Sequence, residues 1–295
     1  MKQLVILSGK GGTGKTTMTA ALAHLAARDT AIVMADADVD AANLELVLDP
    51  TQEESHDFIG GSIARIDSSL CTGCGICAEV CRFEAAVAND SLYTIDGLAC
   101  EGCAACVYQC PVEAIDMLPQ RAGRWYRSST RFGPLFHAHL FAGQENSGKL
   151  VTLVKQQARL RALDTAAALL LVDGPPGIGC PVISASAGAD LALHVVEPTV
   201  SGIHDLERIM ATTDHFGVPS LVAINKADLN LARSDQIAAF CAEQGVELVG
   251  RVPYDTVVTE AMVQGQPVTA YTNGPVTQAL QDVWDRVQAY LPAVP

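Results

Sequence analysis

Ser8-Gly9-Lys10-Gly11-Gly12-Thr13-Gly14-Lys15-Thr16-Thr17 is the stretch on which the fold turns. From Gly9 to Thr16 it matches G-x-x-x-x-G-K-[ST], a loop whose glycines let backbone N–H groups converge on phosphate oxygens. Lys15 is placed to reach the outer phosphates, and the Thr16 hydroxyl to ligate Mg²⁺. An apolar run at residues 3–7 precedes it and reads as a buried parallel strand; a helical stretch over 15–28 follows and adds its N-terminal dipole. Residues 31–35 form a second apolar strand ending at Asp36. Strand, glycine loop, helix and strand in this order open a doubly wound α/β fold with a mostly parallel sheet.

Outward from this unit the pattern pauses and then resumes. After residue 150 strands are expected at 168–173, 190–196, 219–225 and 246–250. Helices are expected at 149–163, 201–215, 232–244, 257–264 and 276–291, the first capped by Asn146 or Ser147. Between lies a block that breaks the alternation. Its segments 71–86 and 100–115, offset by 29 residues, share seven of sixteen positions, four of them cysteine. We expect three parts: 1–62, the first half of the phosphate-binding domain; 63–118, an insertion; and 119–295, a connecting segment and the second half.

The insertion reads Cys71-x2-Cys74-x2-Cys77-x3-Cys81, then Cys100-x2-Cys103-x2-Cys106-x3-Cys110-Pro111. This is the run of a bacterial two-cluster ferredoxin, given twice. Three cysteines two residues apart wrap one corner of a cubane, and the fourth reaches the other cluster. One 4Fe-4S cluster would therefore take Cys71, Cys74, Cys77 and Cys110, the other Cys100, Cys103, Cys106 and Cys81. Arg82 stands where a proline usually follows the fourth cysteine. Zinc is the alternative, weakened because eight cysteines in this repeat are far more specific than two C-x-x-C pairs. Ten cysteines in a chain read as cytoplasmic do not suggest disulfides.

Lys10 sharpens the phosphate loop. KGGTGKTT resembles the deviant Walker A loop of the MinD/ParA ATPases, a class that includes the nitrogenase iron protein and the Mrp-type cluster carriers. That resemblance covers residues 1–48 and about 150–270, and it implies that Lys10 crosses a dimer interface to the partner's nucleotide. Further motifs fall in the class's order. Asp36-Ala37-Asp38 resembles the first switch, implying that Asp38 orients or deprotonates the attacking water and that Asp36 supports Mg²⁺. The strand 169–172 followed by Asp173-Gly174-Pro175-Pro176-Gly177 resembles the second switch, with Asp173 near Mg²⁺ and the Gly177 N–H offered to the terminal phosphate. Asn225-Lys226-Ala227-Asp228 matches the NKxD of GTPases, yet the earlier motifs favour ATP, with Asn225 and Lys226 at the base; GTP is the less favoured nucleotide. Pro253-Tyr254-Asp255 sits where the class closes over the base. With the cysteine block, the chain resembles MinD-superfamily ATPases carrying an inserted ferredoxin domain. The resemblance implies ATP-gated electron transfer by a dimer, with itself or with a paralogue, toward a redox partner protein. An ATP-dependent carrier of Fe–S clusters is the second reading.

Charge and hydropathy limit the alternatives. There are 33 acidic and 19 basic side chains, giving a net −14, which disfavours nucleic acid and anionic membrane. The longest apolar run is seven residues, 166–172, too short to span a bilayer. We expect a soluble cytoplasmic protein. Residues 119–161 carry +7 and the remainder −21; the arginines at 121–131 suit a docking strip for an acidic partner, a surface that neutralises the anionic thiolates of the clusters, or a solvated hairpin. The amphipathic C-terminal stretch carries one base, Arg286, and reads as packing on the sheet rather than as a membrane tail. Cys180 follows the second switch, where the nitrogenase iron protein, with shorter spacing, has a cysteine that holds a cluster between subunits; the favoured reading is a buried small hydrophobe, and Cys241 reads as structural. His137 and His139 share a face of an apparent strand and read as structural or surface residues.

Overall fold

The computed structural model describes residues 1–144 and 147–291. The chain divides into two compact units: residues 1–56, 125–139 and 147–295 make one, residues 57–124 and 140–146 the other. The second thus reaches beyond the expected 63–118 on both sides.

The first unit is built on seven parallel strands. β1 (Lys2–Ser8) lies between β8 (Leu169–Pro176) and β9 (Leu191–Val196); β2 (Ile32–Asp36) lies between β8 and β7 (Gly133–Leu140); β10 (Ser220–Asn225) joins β9 to β11 (Glu247–Val252). The complete sheet order is β11-β10-β9-β1-β8-β2-β7-β6-β3, where β3 is Thr51–Ile66 and β6 is Ile115–Thr130. The central strands are apolar because both faces are covered: Leu4, Val5, Ile6 and Leu7 are wholly buried, as are Leu170 to Val172. The order reverses at β1, so the β1 loop opens at the topological switch point, where ligands of such sheets bind.

Helices cover the sheet much as the periodicity predicts. α1 (Lys15–Ala26) follows the phosphate loop, α2 (Leu44–Leu48) follows β2, and α5 (Ser147–Asp164), α6 (Cys180–Ser186), α7 (Gly202–His215) and α8 (Leu231–Gln244) alternate with the later strands. The expected Asn146 cap of α5 lies outside the described residues. α11 (Pro275–Ala289) buries Val276, Leu280, Val283, Trp284 and Val287, and the Cβ that Gly250 of β11 lacks would stand 2.4 Å from Val283 Cγ2. Its apolar stripe is spent on the core, as expected, and no described helix is long and apolar enough to cross a membrane.

The second unit keeps the 29-residue repeat in its backbone. α3 (Ile76–Glu79) and α4 (Ala105–Gln109) each start after a left-handed residue, Gly75 and Ala104. Gly73 and Gly102 share a positive φ, and so do Glu84 and Glu113. Between the halves runs a hairpin of β4 (Ala86–Asn89) and β5 (Leu92–Ile95).

The arginines of the basic stretch have partners. Arg121 and Arg124 both bind Asp57, at 2.7 and 3.1 Å. Arg127 binds Glu53 and Glu54, at 3.1 and 2.8 Å, and Arg131 donates to the Gly265 carbonyl. The acids of β3 thus pair with three arginines of its sheet neighbour, an ordinary cross-strand pairing, while those side chains stay between 30% and 51% exposed.

Candidate functional site

The phosphate loop sits where β1 ends and α1 begins. Gly12 and Gly14 have φ of 79° and 89°, a region that L side chains avoid. Gly14 is doubly constrained: an added Cβ would fall 2.2 Å from Asn225 Nδ2, because that amide donates to the Thr13 carbonyl at 2.8 Å. Lys15 is buried, and Gly11 and Gly12 are exposed. The loop is thus closed on the protein side and open where a phosphate chain would approach.

Three carboxylates gather beside it. Asp36 and Asp173 are register partners on β2 and β8, both almost fully buried. Asp36 Oδ1 accepts from the Asp38 N–H at 3.1 Å; its Oδ2 accepts from Asn43 and Leu44 N–H at 3.1 and 3.0 Å. Asp36 therefore holds the loop that carries Asp38. Asp173 Oδ1 accepts from Thr19 Oγ1 at 2.9 Å, while its Oδ2 is buried with no partner. Burial, and then the charge of Asp173, raise the Asp36 pKa well above its usual value. Burial raises that of Asp173 against the pull of Thr16, Lys15 and Thr19. Burial, with Asp173 and Asp40 reinforcing it against Lys15, lifts Asp38 to about 6. A cluster of acids strained in this way, with one orphaned oxygen next to Thr16, fits a divalent cation.

Two expectations need correction. β8 does not end at Asp173 but runs to Pro176, and Gly174 is required because a Cβ there would lie 2.5 Å from Leu7 Cδ2. The Gly177 N–H donates to the Ser8 carbonyl at 3.0 Å rather than facing a phosphate. Lys10 has partners within its own chain: Nζ donates to Thr199 Oγ1 at 2.9 Å and lies 3.8 Å from Glu197 Oε2. Glu197 is also bound by Lys226, which reaches the Gly12 carbonyl at 3.3 Å.

A cavity of about 230 Å³ adjoins the loop, lined among others by Gly12, Thr17, Asn225, Pro253, Asp255 and Val258. It is mostly apolar with a few polar groups, as a nucleobase pocket should be. Asp228 Oδ1 accepts from the Tyr254 N–H at 2.7 Å, so that carboxylate orders the 253–255 loop. Its engagement there weakens the guanine-reading alternative.

In the second unit Cys71, Cys74, Cys77 and Cys110 line one small cavity of about 20 Å³. The fourth member comes from the second run. Ala85 N–H points at Cys81 Sγ and Ala114 N–H at Cys110 Sγ, both at 3.3 Å. Burial pushes the Cys77 and Cys106 thiols up. Cys81 is held below its usual value, because the amides of residues 83–86 outweigh its burial. All ten cysteines are free. Cys241 is buried as expected; Cys180 is exposed at the start of α6, against the expectation of burial.

Two residues that sequence reasoning missed are Glu197 and Thr199, which follow β9 and receive Lys10. No motif marks them; only the fold brings them to the loop, Thr199 from 189 residues away.

Comparison with known proteins agrees with this geometry. The family model of the CobQ/CobB/MinD/ParA nucleotide-binding domain matches residues 4–268. An uncharacterized protein of Methanocaldococcus jannaschii is 32% identical over 98% of this chain and 97% of its own length. The septum site-determining protein MinD of Escherichia coli is 24% identical over 96% of this chain and 90% of its own. Among solved structures, MinD of Pyrococcus horikoshii complexed with Mg-ADP superimposes with a TM-score of 0.61 at 19% identity, covering 97% of this chain and 95% of that one. A parallel sheet opening on a phosphate loop, a match over nine-tenths of the chain and a relative matched almost end to end together place this protein in the CobQ/CobB/MinD/ParA family, as a P-loop ATPase of the MinD/ParA type.

Proposed function

We propose that this chain couples ATP binding and hydrolysis to electron transfer through two 4Fe-4S clusters held by an inserted ferredoxin-like domain. This would make it a relative of the nitrogenase iron protein and of the Mrp-type ATPases. The observation that carries the reading is the cavity shared by Cys71, Cys74, Cys77 and Cys110, the crossed set that the doubled run calls for. The matching amide contacts at Cys81 and Cys110 support it, since N–H groups aimed at sulfur favour the thiolate and tune potential. When bound, the clusters supply one-electron chemistry; Cys100, Cys103, Cys106 and Cys81 hold the second.

At the nucleotide site the chain's own groups divide the work. Backbone N–H groups of residues 11–17 and Lys15 bind the phosphates. Thr16 and the free Asp173 oxygen hold Mg²⁺, with Asp36 serving as brace more than ligand. Asp38 positions the attacking water. Asn225, Lys226, Pro253 and Asp255 border the base. Lys10 leaves Glu197 and Thr199 to reach a partner's nucleotide, so the dimer forms only when ATP is present. Two nucleotide states that differ in these contacts are what coupling needs.

Protein isolated without oxygen should hold about eight irons per chain, and an EPR redox titration should shift on adding a nonhydrolysable ATP analogue. Cys110→Ser should damage the cluster of the first run while sparing that of its own. Two zincs and no visible absorption would end the iron–sulfur reading. Potentials indifferent to the analogue, with clusters passed to an apo-acceptor, would favour the carrier instead.

A further inference from the structure

We propose that Glu45, His137 and His139 bind a divalent transition-metal ion of the zinc class, at a site independent of both the nucleotide and the cysteines. The three side chains come from two elements. Glu45 stands in the first turn of α2, and the two histidines are residues i and i+2 on one face of β7. Their ligand atoms all lie within 4.8 Å of one another. His137 Nδ1 is 3.1 Å from Glu45 Oε2, and His139 Nε2 is 3.3 Å from Glu45 Oε1. Ligands held about 2.0–2.1 Å from one ion stand roughly 3.3 Å apart when the site is tetrahedral.

The decisive atom is His137 Nδ1. It is buried and has no hydrogen-bond partner, although a carboxylate oxygen lies 3.1 Å away. That oxygen is off the line an N–H would need, so a hydrogen bond does not account for the approach. The other ring nitrogen, Nε2, contacts Ser128 Oγ at 3.0 Å, and Ser128 is itself buried. Ser128 Oγ can accept from Nε2–H, and that tautomer leaves the Nδ1 lone pair directed at the cluster. This is the outer support that metal-binding histidines have. Tyr126 stacks on the His137 ring at 5.0 Å and meets His139 edge-on at 5.7 Å, which limits rotation of both. Two imidazoles and one carboxylate suit zinc or ferrous iron better than magnesium or calcium. His139 and Glu45 are partly exposed, which leaves an entry path and a position for water.

The site has a second consequence. Glu45 follows Leu44, whose N–H is held by Asp36. An ion bridging Glu45 to β7 would fasten the far end of the loop that carries Asp38.

Zinc is the probe. The full chain, with its cysteines as isolated, is equilibrated with limiting Zn²⁺ and dialysed, alongside Glu45→Gln and His139→Ala; neither variant removes a buried apolar group. Wild type should retain one zinc per chain more than either variant at unchanged iron content. Its Tm should rise on adding zinc, and theirs should not. X-ray absorption at the zinc edge should show nitrogen and oxygen neighbours near 2.0–2.1 Å and no sulfur near 2.3 Å. Ser128→Ala should weaken binding by about 10–100-fold, as loss of outer support does. Equal zinc in wild type and variants would overturn the proposal, and so would sulfur in the zinc spectrum. Neither result bears on the cluster reading, which iron content decides separately.

Discussion

At the scale of single residues, the buried polar groups are where sequence and structure part. Lys10, Asp38 and Asp173 were legible because the phosphate loop and its two switches are short, ordered strings. Glu197 was not: a carboxylate after a strand is commonplace, and its closeness to Lys10 and Lys226 exists only in the fold. His194 is another case. It lies inside β9, fully buried, and contacts Thr213 Oγ1 at 3.2 Å and Ser220 Oγ at 3.0 Å, with Nδ1 unpaired. Burial drives its pKa down to about 3, so the folded chain keeps it neutral. The unfolded chain takes up a proton below its ordinary 6.5, and the folded chain does not. Stability from this group is therefore full above about pH 6.5 and is lost as the pH falls toward 3, by up to ~1.4 kcal/mol per pH unit. Urea midpoints of wild type and His194→Gln, compared between pH 7 and 4.5, should converge as the solution is acidified. Parallel curves would show that the histidine titrates alike in the folded and unfolded chains.

At the scale of elements, periodicity found what burial writes into sequence. The apolar strands β9 and β10 and the helices α5, α7, α8 and α11 lie within about two residues of where the pattern put them, and β8 overruns its expected end by three. β3 and the outer part of β6 escaped it. β3 reads TQEESHDFIGGSIARI and is mostly exposed, so no apolar run or clean alternation betrays it; its acids make sense only beside the arginines of β6. The short α6 depends on a neighbour in a way no pattern records. Lys155 of α5 sends its ammonium to the carbonyls of Ser184, Ala185 and Ala187, at 2.7, 2.7 and 2.8 Å. Burial, with Arg159 adding to it, lowers the Lys155 pKa to about 8, while the three carbonyls act the other way by binding the ammonium. These are the orphan acceptors at the end of α6, and the cation also complements that helix terminus. Lys155→Met keeps the apolar stem and removes the donors. It should destabilise the chain by ~1–3 kcal/mol, the usual penalty for stranding buried polar groups, read as a lower urea midpoint at unchanged m-value. An unchanged midpoint would mean that water serves those carbonyls equally well.

At the scale of the whole molecule, the family's motifs told more than composition did. Within the +7 segment Arg121, Arg124 and Arg127 meet acids of β3, a pairing that net charge along a chain does not show because it ignores which strands become neighbours. Assembly is the property that most needs the whole molecule, and Lys10 is its lever. In the single chain its ammonium rests on Thr199 and near Glu197, a contact one-third exposed and therefore weak. Moving it to a partner's phosphates exchanges a weak ion pair for a charge-assisted bond to a polyanion. Asp38→Ala should slow hydrolysis by ~10²–10⁴-fold while leaving ATP bound, since the loop and Lys15 hold the phosphates. That variant with ATP should run as a dimer in light scattering and stay one. Adding Lys10→Ala to it should return a monomer that still binds nucleotide. If instead Asp38→Ala remains monomeric with ATP bound, the pairing with Thr199 and Glu197 is the whole purpose of Lys10. Gating would then have to act within one chain.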